Sequence, residues 1–146
     1  MTNLDSFARR MEQIAVRVEG NVEVAVRDCA ATVAKSVIEA TPADSGKAKS
    51  NWIAQLDAPA STEREAFSLG VGGSTSELNG QAAINQALEV IQRYQAHQNH
   101  SINIANNLPY ISALNDGHSK QAPADFVRIA ILSGLATVQK AKVLRD

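Results

Sequence analysis

The sequence predicts an α+β fold in which a long N-terminal helix and two further helices pack on a small, mostly antiparallel sheet. Three observations predict it. Apolar residues recur at steps of three and four over residues 4–40 with no proline in the run. Short stretches in the middle of the chain alternate apolar and polar residues, as half-buried strands do. Helical periodicity then returns over residues 80–97 and 124–143. At 146 residues the chain fits one domain (1–146), with the helix at about 4–40 and an α+β body at about 41–146. Hydrophobic residues make up 45% of it and aromatics only 4%, so the core must be built from Ala, Val, Ile and Leu. That composition favours closely packed helices over a pocket lined with large rings.

Each element has its own signal. In the first helix Phe7, Met11, Ile14, Val18, Val22, Ala25, Cys29, Val33 and Val37 share one stripe, and Glu23 and Arg27 form a favourable i, i+4 pair. Thr41-Pro42 ends it, because the proline ring disfavours helical geometry in the preceding residue. The second half of this helix is apolar beyond its stripe. Val24, Val26, Ala31 and Ile38 form a second apolar surface, and a helix this widely apolar is packed on more than one side. That side is either a neighbouring subunit or another element of the same chain. Ser50–Leu56, carrying Trp52, alternates well enough for a strand, and Ala66–Val71 reads as another before Gly70–Ser74 breaks it. The 80–97 helix has Ile84, Leu88 and Ile91 on one stripe. A strand follows at 101–106, then a short helical piece with Tyr110, Ile111 and Leu114. Pro123 opens the last helix, whose apolar positions include Phe126, Val127, Ile131, Leu135 and Val138.

Composition narrows the function. Fourteen basic and fifteen acidic residues give a net charge of −1, which argues against a dedicated nucleic-acid binder. The start of the chain has neither signal-peptide nor anchor character, and no stretch approaches the ~20 apolar residues of a spanning helix. A single cysteine, Cys29, rules out an intramolecular disulfide or a cysteine cage, and on the apolar stripe it reads as a core residue. His97 and His100 lack an Asp, Glu or Cys close by in sequence that would complete a metal site, so neither a metal nor a cofactor is expected. Gly70–Ser74 lacks the Lys-Ser/Thr ending of a phosphate-binding loop. Asp116-Gly117-His118 offers an acid and an imidazole, but sequence neighbours seldom converge as a catalytic triad must, and Asp-Gly is a turn signal. A small hydrolase using Asp116 and His118, or Asp44, is therefore the second reading. A nucleic-acid-associated factor using the basic end of the last helix is a weaker third.

What remains is a constellation without chemistry. Thr41-Pro42-Ala43-Asp44-Ser45-Gly46 leads into Trp52. Asn106-Asn107-Leu108-Pro109-Tyr110 leads to Leu114 and Gly117, and Gln121-Ala122-Pro123 precedes the last helix. Asp44 can accept backbone N–H bonds in its turn, Gly46 can take positive φ, and Gly117 can cap the short helix before it. In this order and spacing the motifs resemble those of the tail-component family of tailed bacteriophages, variously called neck, minor tail or tail-completion proteins. The resemblance covers about residues 10 to 135, with serine at Ser45 as its departure from the usual threonine. It implies a structural subunit of the virion, assembled in the host cytoplasm, and not an enzyme. It further implies a ring of six copies between the head-side connector or adaptor and the tail terminator or tail tube. Its partners would be those rings and further copies of itself, with no membrane and no specific nucleic acid. Val24, Val26, Ala31 and Ile38 are the candidate subunit interface.

Overall fold

The computed structural model describes residues 3–42, 46–117 and 124–141. The first helix, α1 (Asn3–Ala40), runs unbroken for 38 residues, about 57 Å at 1.5 Å per residue. Its end is built by Thr41, whose N–H still donates to the carbonyls of Val37 and Ile38 while its hydroxyl donates to Val37 O at 2.6 Å. Pro42 then has no N–H with which to continue. One turn of helix, α2 (Lys47–Ser50), leads into strand β1 (Ile53–Leu56), and helix α3 (Ser76–Ile91) follows a long connection. A 3-10 turn at Ala96–Gln98, strand β2 (Ile102–Ala105), short helix α4 (Ile111–Asn115) and helix α5 (Phe126–Lys140) complete the order. The strands pair antiparallel, Ile53 opposite Ala105 and Leu56 opposite Ile102. No helix among the described residues is long and apolar enough to cross a membrane.

The α+β class is therefore as predicted, but the sheet has two strands among the described residues. The strand expected at 66–71 is absent, and the reason lies in the side chain of Asn79. Its Oδ1 accepts from the N–H of Ser68 at 2.8 Å and its Nδ2 donates to Ser68 O at 2.7 Å. A side-chain amide thus takes the bonds that a neighbouring strand would have supplied. The first strand also starts later than expected. Gly46 sits at φ +87°, where an added Cβ would run into the amide of Asn79, and from there the chain makes the α2 turn before extending. The second helix begins four residues early and stops at Ile91. The side chains of Glu23 and Arg27 hold its exit: Arg27 donates to Tyr94 O, and Glu23 accepts from the N–H of Ala96 at 3.1 Å. The ion pair visible in the sequence (3.6 Å) is thus a clamp between α1 and the chain leaving α3.

Two buried clusters hold the body together. Val37 and Ile38 of α1 meet Trp52, Ala83, Ile84, Phe126 and Ala130 in one. Ala34 meets Ala54, Ala87 and Ile91 in the other. The core is aliphatic and alanine-rich, as the composition requires, and alanine lets α1, α3 and β1 approach closely. Ile38, expected as part of a subunit interface, is fully buried here: α3 and α5 of the same chain cover that side of α1. Among the apolar positions expected for α5, Phe126 is buried and Val127 half-buried, whereas Ile131, Leu135 and Val138 are exposed.

Candidate interaction surfaces

Helix α5 lies antiparallel along α1, with Phe126 and Ala130 near Val37 and Ile38, and Gly134 near Cys29 and Val33. A Cβ on Gly134 would collide with the Val33 side chain and come within 3.0 Å of Cys29 O, so glycine sets the closeness of this crossing. Small residues therefore face inward, and the large aliphatic ones are left outside. Ile129, Ile131, Leu132 (52% exposed), Leu135 and Val138 form an exposed apolar surface interrupted by Arg128, Gln139 and Lys140. A helix apolar on nearly every side is normally covered on every side.

The N-terminal half of α1 has the same character. Every described residue up to Arg17 is exposed, so no described element buries this segment, which forms an arm. Its Leu4 (77% exposed), Phe7 (61%), Met11, Ile14 and half-buried Val18 follow alternating steps of three and four, a strict heptad seam. Exposed apolar stretches of this length mark interaction sites in soluble proteins.

Between these features lies an apolar groove of about 390 Å³. Val26, Cys29, Ala30 and Val33 of α1 form one wall, Ile102 and Ile104 of β2 the second, and Val138 of α5 the third. All but the exposed Val138 are half-buried, and burial pushes the Cys29 thiol above its ordinary pKa. Cys29 is thus neither fully buried nor activated. Of the other residues singled out as a candidate interface, Val24 is exposed and Ala31 half-buried.

The signature residues do a different job. The Trp52 indole N–H donates to the Thr41 hydroxyl at 2.8 Å, tying the end of α1 to the start of β1. The Asn107 side chain donates to Ala60 O at 2.7 Å, and Leu114 packs against the core from α4. Gly117 closes α4 at φ +91°, its N–H on Leu114 O. Pro109 and Tyr110 are exposed, and Asp44 and Pro123 lie outside the described residues.

Sequence reasoning missed the hub of this framework. Ser50, Asn51 and Asn79 are wholly buried. Ser50 Oγ donates to Asn79 Oδ1 at 2.9 Å, Asn51 exchanges two bonds with the backbone of Arg64, and the Arg64 guanidinium donates to Ser50 O and to Gln86. Among the described residues no buried side-chain N or O lacks a partner, so the network is complete in itself. The signal was available, since Asn79 shares a face with Ala83 and Ala87 in steps of four, where a buried polar group must be bonded.

Asp116 is exposed in the turn after α4, and His118 and Asp44 lie outside the described residues. His100 pairs with the exposed Asp57 at 3.0 Å, and the N–H of Ser101, followed by His100, holds that carboxyl below its ordinary pKa. Among the described residues no group of three or more His, Cys, Asp or Glu side chains could hold a metal ion.

Comparison with known proteins agrees with a structural role. No curated protein and no solved structure matches the chain at a significant level. A family model described as "Bacteriophage HK97-gp10, putative tail-component" matches residues 5–117, which include all but the first two residues of α1, the turn at Gly46, Trp52, both strands and Gly117. With more than half its length matched, including the motifs that hold its fold together, the chain belongs to the HK97 gp10-like family of phage tail components.

Proposed function

We propose that the chain is a structural subunit of the neck or tail-completion ring, built from six copies, which joins the head-side connector to the tail of a bacteriophage. The observation that carries this reading is the amount of apolar surface its own fold leaves uncovered: the α1 arm on one side and the outer face of α5 on the other. Two separate faces suit a subunit with neighbours in more than one direction. Copies of itself flank it in the ring, and a connector or adaptor ring and a tail terminator or tail tube cover the rest. The mechanism is geometric, since apolar faces costly to leave in water are covered only in the finished particle.

The test is genetic. A phage whose gene for this chain is interrupted is expected to accumulate DNA-filled heads and finished tails that do not join. Wild-type protein supplied in trans restores joining. Leu132→Asp/Leu135→Asp protein, which should fold because both residues are exposed, does not. Full infectivity without the chain, or heads accompanied by no tails at all, would remove the joining role.

A further inference from the structure

We infer that the α1 arm of one copy lies in the apolar groove of the next, making the ring contact head-to-tail. This rests on the assembly reading above and names the pieces that meet. Among the described residues the groove is lined by aliphatic side chains and one thiol, so its occupant is apolar. Its α1 wall from Val26 to Val33 spans seven residue steps, about 10 Å of helix axis, and Phe7 to Ile14 on the arm spans the same length. Phe7, Met11 and Ile14 recur at the spacing with which an amphipathic helix anchors in a groove.

The occupant is a second copy because the chain carries both parts and cannot join them itself. Arm and groove wall belong to one continuous helix, so a chain cannot lay its own arm between α1, β2 and α5. The size of the contact also favours a ring over a standing dimer. The fifteen residues Asn3–Arg17 offer a face of about 22 by 10 Å. That is far below the ~800 Å² per partner typical of a stable pair. Head-to-tail contacts that are weak singly hold when repeated to closure.

Cys29, the only cysteine, sits in the groove and reports on the contact without any added label. Phe7→Cys, Met11→Cys and Ile14→Cys are made one at a time in the full chain. They are oxidised with copper-phenanthroline at concentrations where light scattering shows multimers, or in purified particles where it does not. The expected result is a ladder of disulfide-linked chains in steps of 15.6 kDa from at least one variant, with the link mapped between the arm cysteine and Cys29. The ladder disappears when Cys29→Ser is added. Links between two arm cysteines that survive Cys29→Ser would overturn the proposal in favour of arm-to-arm pairing. Multimers or particles with no link to Cys29 from any of the three positions would overturn it as well. In a second measurement, Met11→Asp is expected to weaken self-association at least tenfold with an unchanged unfolding midpoint, and unweakened association would also refute the pairing. A chain that neither self-associates nor enters particles would instead remove the assembly reading itself, which distinguishes the two failures.

Discussion

The two ends of α1 carry the same pattern and meet opposite fates. From Phe7 to Val37 one apolar stripe continues at steps of three and four. At the C-terminal end Ala34, Val37 and Ile38 are sealed between α3, α5 and Trp52. At the N-terminal end Leu4, Phe7, Met11 and Ile14 stand in solvent. Periodicity identifies a face that will be covered; it does not say whether the cover comes from the same chain. The described sheet and helices reach only as far as the last turn of α5, so among the described residues nothing buries the stripe beyond that point.

Four substitutions sharpen or break this contrast, in decreasing order of effect on the stability of the isolated chain. Ile38→Asp places an unpaired charge where exposure is 0% and should cost about 4 kcal/mol or more, enough to abolish the cooperative unfolding transition seen by circular dichroism. Trp52→Ala should cost roughly 3–5 kcal/mol, combining a lost core aromatic with the loss of the bond to Thr41 that ties down the buried end. A fall in the denaturation midpoint worth less than about 1 kcal/mol would mean that Trp52 is not holding that end. Gly134→Val, at the crossing in the C-terminal third of α1, should cost roughly 1–3 kcal/mol by overpacking against Cys29 and Val33. Phe7→Asp introduces the same charge as the first substitution into the same helix and should change stability by less than ~0.5 kcal/mol. If calorimetry shows Phe7→Asp to be as damaging as Gly134→Val, the arm is packed against the body in solution and the contrast fails.

Much of the architecture was legible because it is local. The first helix was read to within a residue of each end, since stripe, proline and missing breakers all act over one or two turns. The strands that do form, β1 and β2, lie inside the stretches expected for them. The failures have a common cause. Nothing in Ala66–Val71 says that Asn79 will satisfy the backbone of Ser68, and nothing in α5 says that its glycine and alanine will face inward. Both outcomes depend on which distant residue arrives first at close range. Ile38 was misassigned for the same reason, because apolar width on a helix does not separate a neighbour in the chain from a neighbour in the particle. The family motifs told more than their spacing could. Thr41 and Trp52 are eleven residues apart with no pattern linking them, yet they share a hydrogen bond that fixes the helix to the strand.

Gly20 lies just beyond the arm, where α1 reaches the body, and a methyl group added there would meet nothing within 4 Å. Glycine inside a helix costs roughly 1 kcal/mol relative to alanine, so the 38-residue rod is locally weakened at this point. Leu4 lies sixteen residues further on, about 24 Å along the axis. At that radius a bend of about 10° at Gly20 swings the tip by about 4 Å, most of one helical turn of ~5.4 Å. In the assembly proposed above, the long helix would work as a lever whose fulcrum is soft: small angular mismatches between neighbours would be absorbed at its root, while the packed end need not move.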